Sequence, residues 1–297
     1  NEIKKLKKEK NAVILAHYYL CDEVQEIADF VGDSYYLSKK ATEVSESMIV
    51  FAGVKFMGES AKILNPEKTV VMVDAKADCP MAHMVTPEKI EEVRSKYYDL
   101  AVCCYINSTA EIKAHSDVCV TSSNALKIVK SLPNKNIFFI PDGNLGRYIA
   151  EKVTDKNFIF NDGYCPVHVK ITREDIINKK KEYPSAKVLI HPECTPDAVE
   201  LADYAGSTAG IIDYATKSDC DEFIIATEKG VLYELRNKNP EKKFYTVNDS
   251  QICPDMKYVT LEKIKNVIEN TENVVELSEK MSEGAKKALD EMLRLAE

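Results

Sequence analysis

The sequence predicts an α/β protein made of three homologous three-layer αβα domains with short parallel sheets, arranged about a pseudo-threefold axis. Two observations carry this prediction. The first is a set of markers that recur at nearly even spacing along the 297 residues. Cys79, Cys165 and Cys253, each followed by proline, stand 86 and 88 residues apart. His17, Tyr105 and His191 are separated by 88 and 86, Ser34, Ser122 and Ser207 by 88 and 85, and Thr86, Thr172 and Thr260 by 86 and 88. A fixed period is the mark of a duplicated structural unit. The second observation is that each repeat carries short β-rich runs alternating with helical stretches, which implies right-handed βαβ units and a parallel sheet covered on both faces.

The elements follow in the same order in each unit. The runs "NAVILAHYY", "YDLAVCCYINS" and "SAKVLIHPE" read as leading strands, with His17, Tyr105 and His191 at their ends. A helix is expected next. In "DEVQEIADFVG" the residues Val24, Ile27, Ala28 and Val31 form one apolar face that Gly32 terminates. "STAE" from Ser108 fits a capping box, and "TPDAVELADYAG" offers Thr195 as N-cap, Pro196 at the first helical position and Gly206 past the end. Further strands are expected in "MIVFAG", "NIFFIP" and "EFIIAT", then in "TVVMV", "NFIF" and "KFYTV". The boundaries fall at 1–84, 85–170 and 171–257. Residues 258–297 add two helical stretches, "LEKIKNVIENT" and "VVELSEKMSEGAKKALDEMLRLAE", expected to close the assembly against the first unit. Units of this size bury only about 60–65% of their surface alone, so they should pack together. No Gly/Ser-rich linker separates them.

Composition excludes several classes of function. A net charge of −8 with interleaved lysines and acids leaves no basic footprint for nucleic acid. No apolar run approaches the roughly 18 residues that span a membrane, and "NEIKKLKKEKN" lacks the apolar core of a signal peptide, so a cytoplasmic location is expected. Nine cysteines in such a chain point to metal or catalytic use rather than a disulfide framework. Free cysteine is also a small buried hydrophobe, and Cys103, Cys104 and Cys119, in strand-like "AVCCYI" and "DVCVTSS", read that way.

If the carboxyl ends of the strands point inward, equivalent residues from three remote places meet near one centre, where loops and helix N-termini gather ligands. Cys79, Cys165 and Cys253 then form a thiolate set with an open coordination position, suited to zinc or an iron–sulfur cluster and not to magnesium or calcium. The alternative is three thiols kept at duplicated packing positions. Around them would stand His17, Tyr18 and Tyr19, then Tyr105, Asn107 and Ser108, then His191 and Glu193. A hydroxyl ring of Ser34, Ser122, Ser123, Ser207 and Thr208 can cap helices or donate to an anionic substrate. His83, His115 and His168 read as structural, His168 being also a neighbour of a metal ligand. Lys217 reads as an exposed helix lysine. Three classes of function fit these residues: a cluster-dependent synthase, a binding module for an anionic metabolite, and a zinc hydrolase on the same thiolates.

The motifs "AHYY" at 16–19, "GDS" at 32–34, "YINS" at 105–108, "SSNA" at 122–125, "PDGNLGR" at 141–147, "GYCPVH" at 163–168, "HPEC" at 191–194, "GSTAGI" at 206–211 and "CPDMK" at 253–257 resemble the quinolinate synthase family along essentially the whole chain. The resemblance implies three αβα domains around a central [4Fe–4S] cluster on Cys79, Cys165 and Cys253. It further implies condensation of iminoaspartate with dihydroxyacetone phosphate, with loss of phosphate and two waters, to give quinolinate in de novo NAD biosynthesis. It implies a functional link to an L-aspartate-oxidising enzyme. Under it Glu193 is the candidate general base, His17 and His191 orient or relay protons, and Tyr19 and Tyr105 donate to substrate oxygens. Asn107 and the hydroxyl ring would hold carboxylates and phosphate. Two departures stand out: Asn161 replaces a tryptophan frequent near the second cysteine, and Cys253 stands without further cysteines around it, so a redox switch of some relatives does not carry over.

Overall fold

The computed structural model describes residues 2–297. Each unit contributes one four-stranded parallel sheet with the same strand order, second–first–third–fourth. The first sheet comprises β1 (Ala12–His17), β2 (Phe30–Gly32), β3 (Met48–Ala52) and β4 (Thr69–Met72). The second comprises β5 (Leu100–Tyr105), β6 (Val118–Val120), β7 (Asn136–Ile140) and β8 (Asn157–Phe160). The third comprises β9 (Lys187–Ile190), β10 (Tyr204–Ala205), β11 (Glu222–Ala226) and β12 (Lys243–Thr246). The two central strands of each sheet are buried along nearly their whole length, as in β1 and β3, because helices cover both faces.

The helices expected from "DEVQEIADFVG" and "TPDAVELADYAG" are shorter than their apolar periodicity suggests. They span Asp22–Ile27 and Pro196–Val199, and the chain then turns into β2 and β10. The cause is an aspartate ahead of each short strand. Asp29 Oδ2 accepts from Ile14 N at 2.8 Å, Asp117 Oδ2 from Val102 N at 2.7 Å and Asp203 Oδ2 from Val188 N at 2.8 Å. The N–H of each aspartate returns a bond to the carbonyl of the same strand residue. This pairing fixes the register of the second strand on the first. In the second unit, Thr109 rather than Ser108 caps the helix Ala110–Ala114, and Ser108 Oγ instead donates to Tyr105 O at 2.9 Å.

Thr86, Thr172 and Thr260 repeat for one reason. Each is the N-cap of a ten-residue helix that follows a cysteine segment: Pro87–Lys96, Arg173–Glu182 and Leu261–Asn270. Thr172 Oγ1 accepts from Asp175 N at 3.1 Å and donates to Asp175 Oδ2 at 2.8 Å. Thr172→Ala is expected to cost about 1 kcal/mol of stability, with Thr172→Ser close to neutral. An unchanged urea midpoint in the alanine variant would remove the capping account.

The tail does more than close on the first unit. Helix Leu261–Asn270 packs on helix Glu2–Lys10 and β3, but helix Glu279–Ala296 bridges the first two units, lying against Ala110–Ala114 and β6 as well as Lys55–Leu64. Gly284 permits this approach, since a Cβ there would stand 2.8 Å from Ala114 Cβ. The second tail helix begins at Glu279, later than "VVELSEK" suggests, because Val274 bridges Val71 antiparallel and Val275 N bonds Val70 O at 2.8 Å. That pairing covers the exposed edge of β4.

The first two units share one continuous apolar core. The third has its own clusters on the two faces of its sheet, Phe223 and Ile225 on one side and Ile224 and Ala226 on the other. Among the described residues, no helix is long and apolar enough to cross a membrane.

Candidate active site

A strand order of second–first–third–fourth reverses the direction of travel beside the first strand of each sheet. Crevices therefore open at the carboxyl ends of β1, β5 and β9, where α/β sheets place ligands. The three crevices meet in one cavity of about 120 Å³. His17, Tyr105 and His191 line it from the three strand ends, together with Tyr19, Asn107 and Glu193. Cys79, Cys165 and Cys253 line it from three loops remote in sequence, each thiol free.

Why proline follows each cysteine is now physical. Proline has no N–H to satisfy and its fixed φ starts a tight turn. The next two N–H groups then converge on the sulfur: Met81 and Ala82 on Cys79, Val167 and His168 on Cys165, Asp255 and Met256 on Cys253. Burial pushes all three thiols up, Cys253 to about 11, while these N–H groups favour the thiolate. Burial, and at Cys79 and Cys165 the Glu193 carboxylate, outweigh these N–H groups, so a bound metal is what would keep the thiols deprotonated. Asn161, at the tryptophan position, donates through Nδ2 to Met84 O at 3.0 Å and Pro141 O at 2.8 Å, tying the first cysteine segment to the second unit.

Glu193 is the hub of the polar groups. Tyr105 O–H donates to its Oε1 at 2.6 Å, and His168 Nδ1 lies 2.7 Å from its Oε2. Burial would raise this carboxyl, but His168, His191 and Tyr105 hold it well below the usual carboxylate range. Burial lowers His17 to about 3 and His191 to about 4, so both imidazoles are neutral near pH 7. Tyr19 and Tyr105 are raised by burial and by Glu193, and remain protonated donors. Tyr19 O–H lies 2.8 Å from Thr208 Oγ1 and 2.9 Å from Thr227 Oγ1, and Thr227 Oγ1 lies 2.8 Å from His168 Nε2. A continuous hydrogen-bonded chain therefore joins Tyr19 to Glu193 through Thr227 and His168.

The hydroxyl ring is brought together in part. Ser34, Ser122 and Thr208 line the cavity, Ser34 and Thr208 as first residues of the helices Ser34–Glu43 and Thr208–Lys217. Ser123 and Ser207 lie outside the lining. Ser123 Oγ bonds Thr121 Oγ1 at 2.8 Å, and Ser207 is the cap that accepts from Gly210 N at 3.1 Å. Asn107 lines the cavity, and its Oδ1 is buried without a hydrogen-bond partner, an acceptor that only a donor group would satisfy. His83 and His115 are exposed beside Asp78 and Glu91, and Lys217 pairs with Asp213 on the surface. His168, expected to be structural or a neighbour of a metal ligand, is buried between Cys165 and Glu193.

Sequence reasoning missed Thr227 and Glu228, which follow β11. Glu228 is 1% exposed. Its Oε2 accepts from Gly230 N at 2.6 Å, and its Oε1 accepts from Cys253 N and Lys257 Nζ, each at 3.1 Å. Burial raises this carboxyl, but every one of these partners is a donor, so the geometry favours the carboxylate. Lys257 also donates to Tyr19 O. Gly230 is required here, because a Cβ would lie 2.7 Å from the Tyr19 backbone. Buried Gln25 completes the joint by donating to Gly230 O at 3.0 Å and Tyr18 O at 3.0 Å. Lys257→Met leaves Glu228 buried without its cation and is expected to cost about 3 kcal/mol. Glu228→Gln/Lys257→Met should recover much of that loss; a neutral single variant in urea unfolding would show that the pair carries no such load.

Three αβα units that close on a cavity lined by one cysteine from each define a triplicated α/β protein with a central thiol-lined site. The comparisons agree with that class and narrow it. The family model described as quinolinate synthetase A protein, NadA, matches residues 1–294, and the chain belongs to that family. It is 56% identical to the quinolinate synthase of Fusobacterium nucleatum subsp. nucleatum, over 100% of this chain and 99% of the relative. It is 54% identical to that of Clostridioides difficile, over 100% and 97%, and 51% identical to that of Caldicellulosiruptor saccharolyticus, over 99% and 97%.

Proposed function

We propose that this chain condenses iminoaspartate with dihydroxyacetone phosphate to form quinolinate, releasing one phosphate and two waters, with a [4Fe–4S] cluster held by Cys79, Cys165 and Cys253. The observation that carries this reading is the convergence of three remote Cys-Pro turns on one cavity. The donor set suits a cluster better than one ion. A single zinc draws thiolates to about 2.3 Å each and hence to within about 4 Å of one another. Cys165 Sγ gathers with His168 and Glu193 within 4.8 Å, a set that leaves out Cys79 and Cys253. A polynuclear cluster takes each thiolate on a separate iron.

When bound, the cluster supplies a Lewis-acidic iron that lacks a cysteine and eases departure of a substrate oxygen. The chain's own groups do the rest. Glu193 accepts a proton from substrate carbon, while Tyr105 and His168 on its two oxygens keep the carboxylate aimed. His17 and His191, neutral through burial, orient the substrate and relay protons. Tyr19 donates to a substrate oxygen and recovers its proton along Thr227 and His168. Asn107, Ser34, Ser122 and Thr208 hold carboxylates and phosphate as neutral donors, the last three at or near helix starts. Ser123 and Ser207 support that ring from behind.

The unit boundaries fall at 84, 170 and 257, so that each unit donates one thiol. An L-aspartate-oxidising enzyme supplies the iminoaspartate, and the reaction takes place in the cytoplasm. The test is anaerobic reconstitution with iron and sulfide, followed by an assay for quinolinate from the two substrates. About four irons and four sulfides per chain with product formed are expected. Saturable ligand binding without turnover would replace the synthase with a binding protein.

A further inference from the structure

We propose that, in the cluster-free chain, Cys165, His168 and Glu193 bind a single thiophilic divalent cation of the zinc class, without Cys79 or Cys253. The three ligand atoms lie within 4.8 Å of one another. His168 Nδ1 stands 3.1 Å from Cys165 Sγ and 2.7 Å from Glu193 Oε2. The side chains of His168 and Glu193 are 1% and 5% exposed, so water competes poorly for the ion.

Sulfur, nitrogen and oxygen from three side chains make a zinc donor set with a fourth position open, here toward the cavity. With metal–ligand bonds of about 2.0–2.3 Å, the donors need to stand roughly 3.2–3.7 Å apart. The present contacts are those made by shared protons, and a cation that displaces the protons widens them by up to about 1 Å. His168 is already oriented for ligation. Its Nε2 is engaged by Thr227 Oγ1 at 2.8 Å, the outer partner that fixes a metal-binding imidazole. Two thiols of the cavity stay outside this set, which separates it from a three-thiolate zinc site.

The ion site stands independently of the proposed reaction. One consequence does rest on that reading: Cys165 would serve both, so ion and cluster exclude each other, and a zinc-loaded chain takes up iron and sulfide only as zinc leaves.

The test titrates metal-free full-length chain, kept anaerobic and reduced, with zinc against a chromophoric chelator. X-ray absorption of the cadmium form then counts sulfur donors. One ion per chain with one sulfur is expected. Cys79→Ala and Cys253→Ala should bind zinc within about threefold of the unmodified chain, and Cys165→Ala and His168→Gln at least about 100-fold more weakly. Thr227→Val should lose about tenfold, as for other outer partners. Three sulfurs around cadmium, equal loss in the Cys79 and Cys253 variants, or no zinc uptake by the unmodified chain would overturn the proposal. The sulfur count on the unmodified chain decides the matter even where a variant fails to fold.

Discussion

Replacing Cys165 with alanine is expected to abolish iron and sulfide uptake and quinolinate formation together. The thiol is one of three that converge on the cavity, and its turn presents the N–H groups of Val167 and His168 to the sulfur. Alanine there leaves the fold, because the turn is set by Pro166 and by the caps around it. The same double loss is expected for Cys79→Ala and Cys253→Ala. Reconstituted Cys165→Ala that retains iron, sulfide and product would end the three-cysteine reading.

Glu193→Gln should give the second-largest effect and a different pattern. The amide keeps the size and much of the hydrogen bonding to Tyr105 but cannot take a proton from carbon. A fall in kcat of about 10²–10⁴-fold is expected, with cluster content unchanged. Loss of cluster in this variant would recast Glu193 as a structural group, and unchanged kcat would move the base elsewhere. Tyr105→Phe offers a finer comparison, since it removes only the donor 2.6 Å from Oε1.

Much of this was legible from spacing. Three cysteines, three strand-end residues and three threonines kept step, and a repeat that survives in spacing survives because each copy fills the same place in the same unit. What escaped notice did so for definite reasons. The strands β2 and β10 hid behind an apolar periodicity that reads as helix, although Asp29, Asp117 and Asp203, at intervals of 88 and 86, were available as a signal. Thr227 and Glu228 occur in one unit only, with Gly53 and Val54, or Pro141 and Asp142, after the corresponding strands, so repetition gave them no support. Their roles arise from contacts between units, which a single sequence does not display. Ser207 shows the converse: it keeps step with Ser34 and Ser122 but caps its own helix, and Thr208 reaches the cavity instead.

The three strand ends that face the cavity are not alike, carrying histidine, tyrosine and histidine. An assembly of three identical modules would offer an asymmetric molecule three equivalent poses, each as good as the others. Joining the modules in one chain frees each copy to drift under a separate constraint. Tyr105, Asn107 and Glu193 have no identical counterparts in the other units, and they break the threefold degeneracy at the point where a reaction needs a single direction. Triplication therefore gives the protein its enclosure, and divergence within the triplicate gives that enclosure a single orientation.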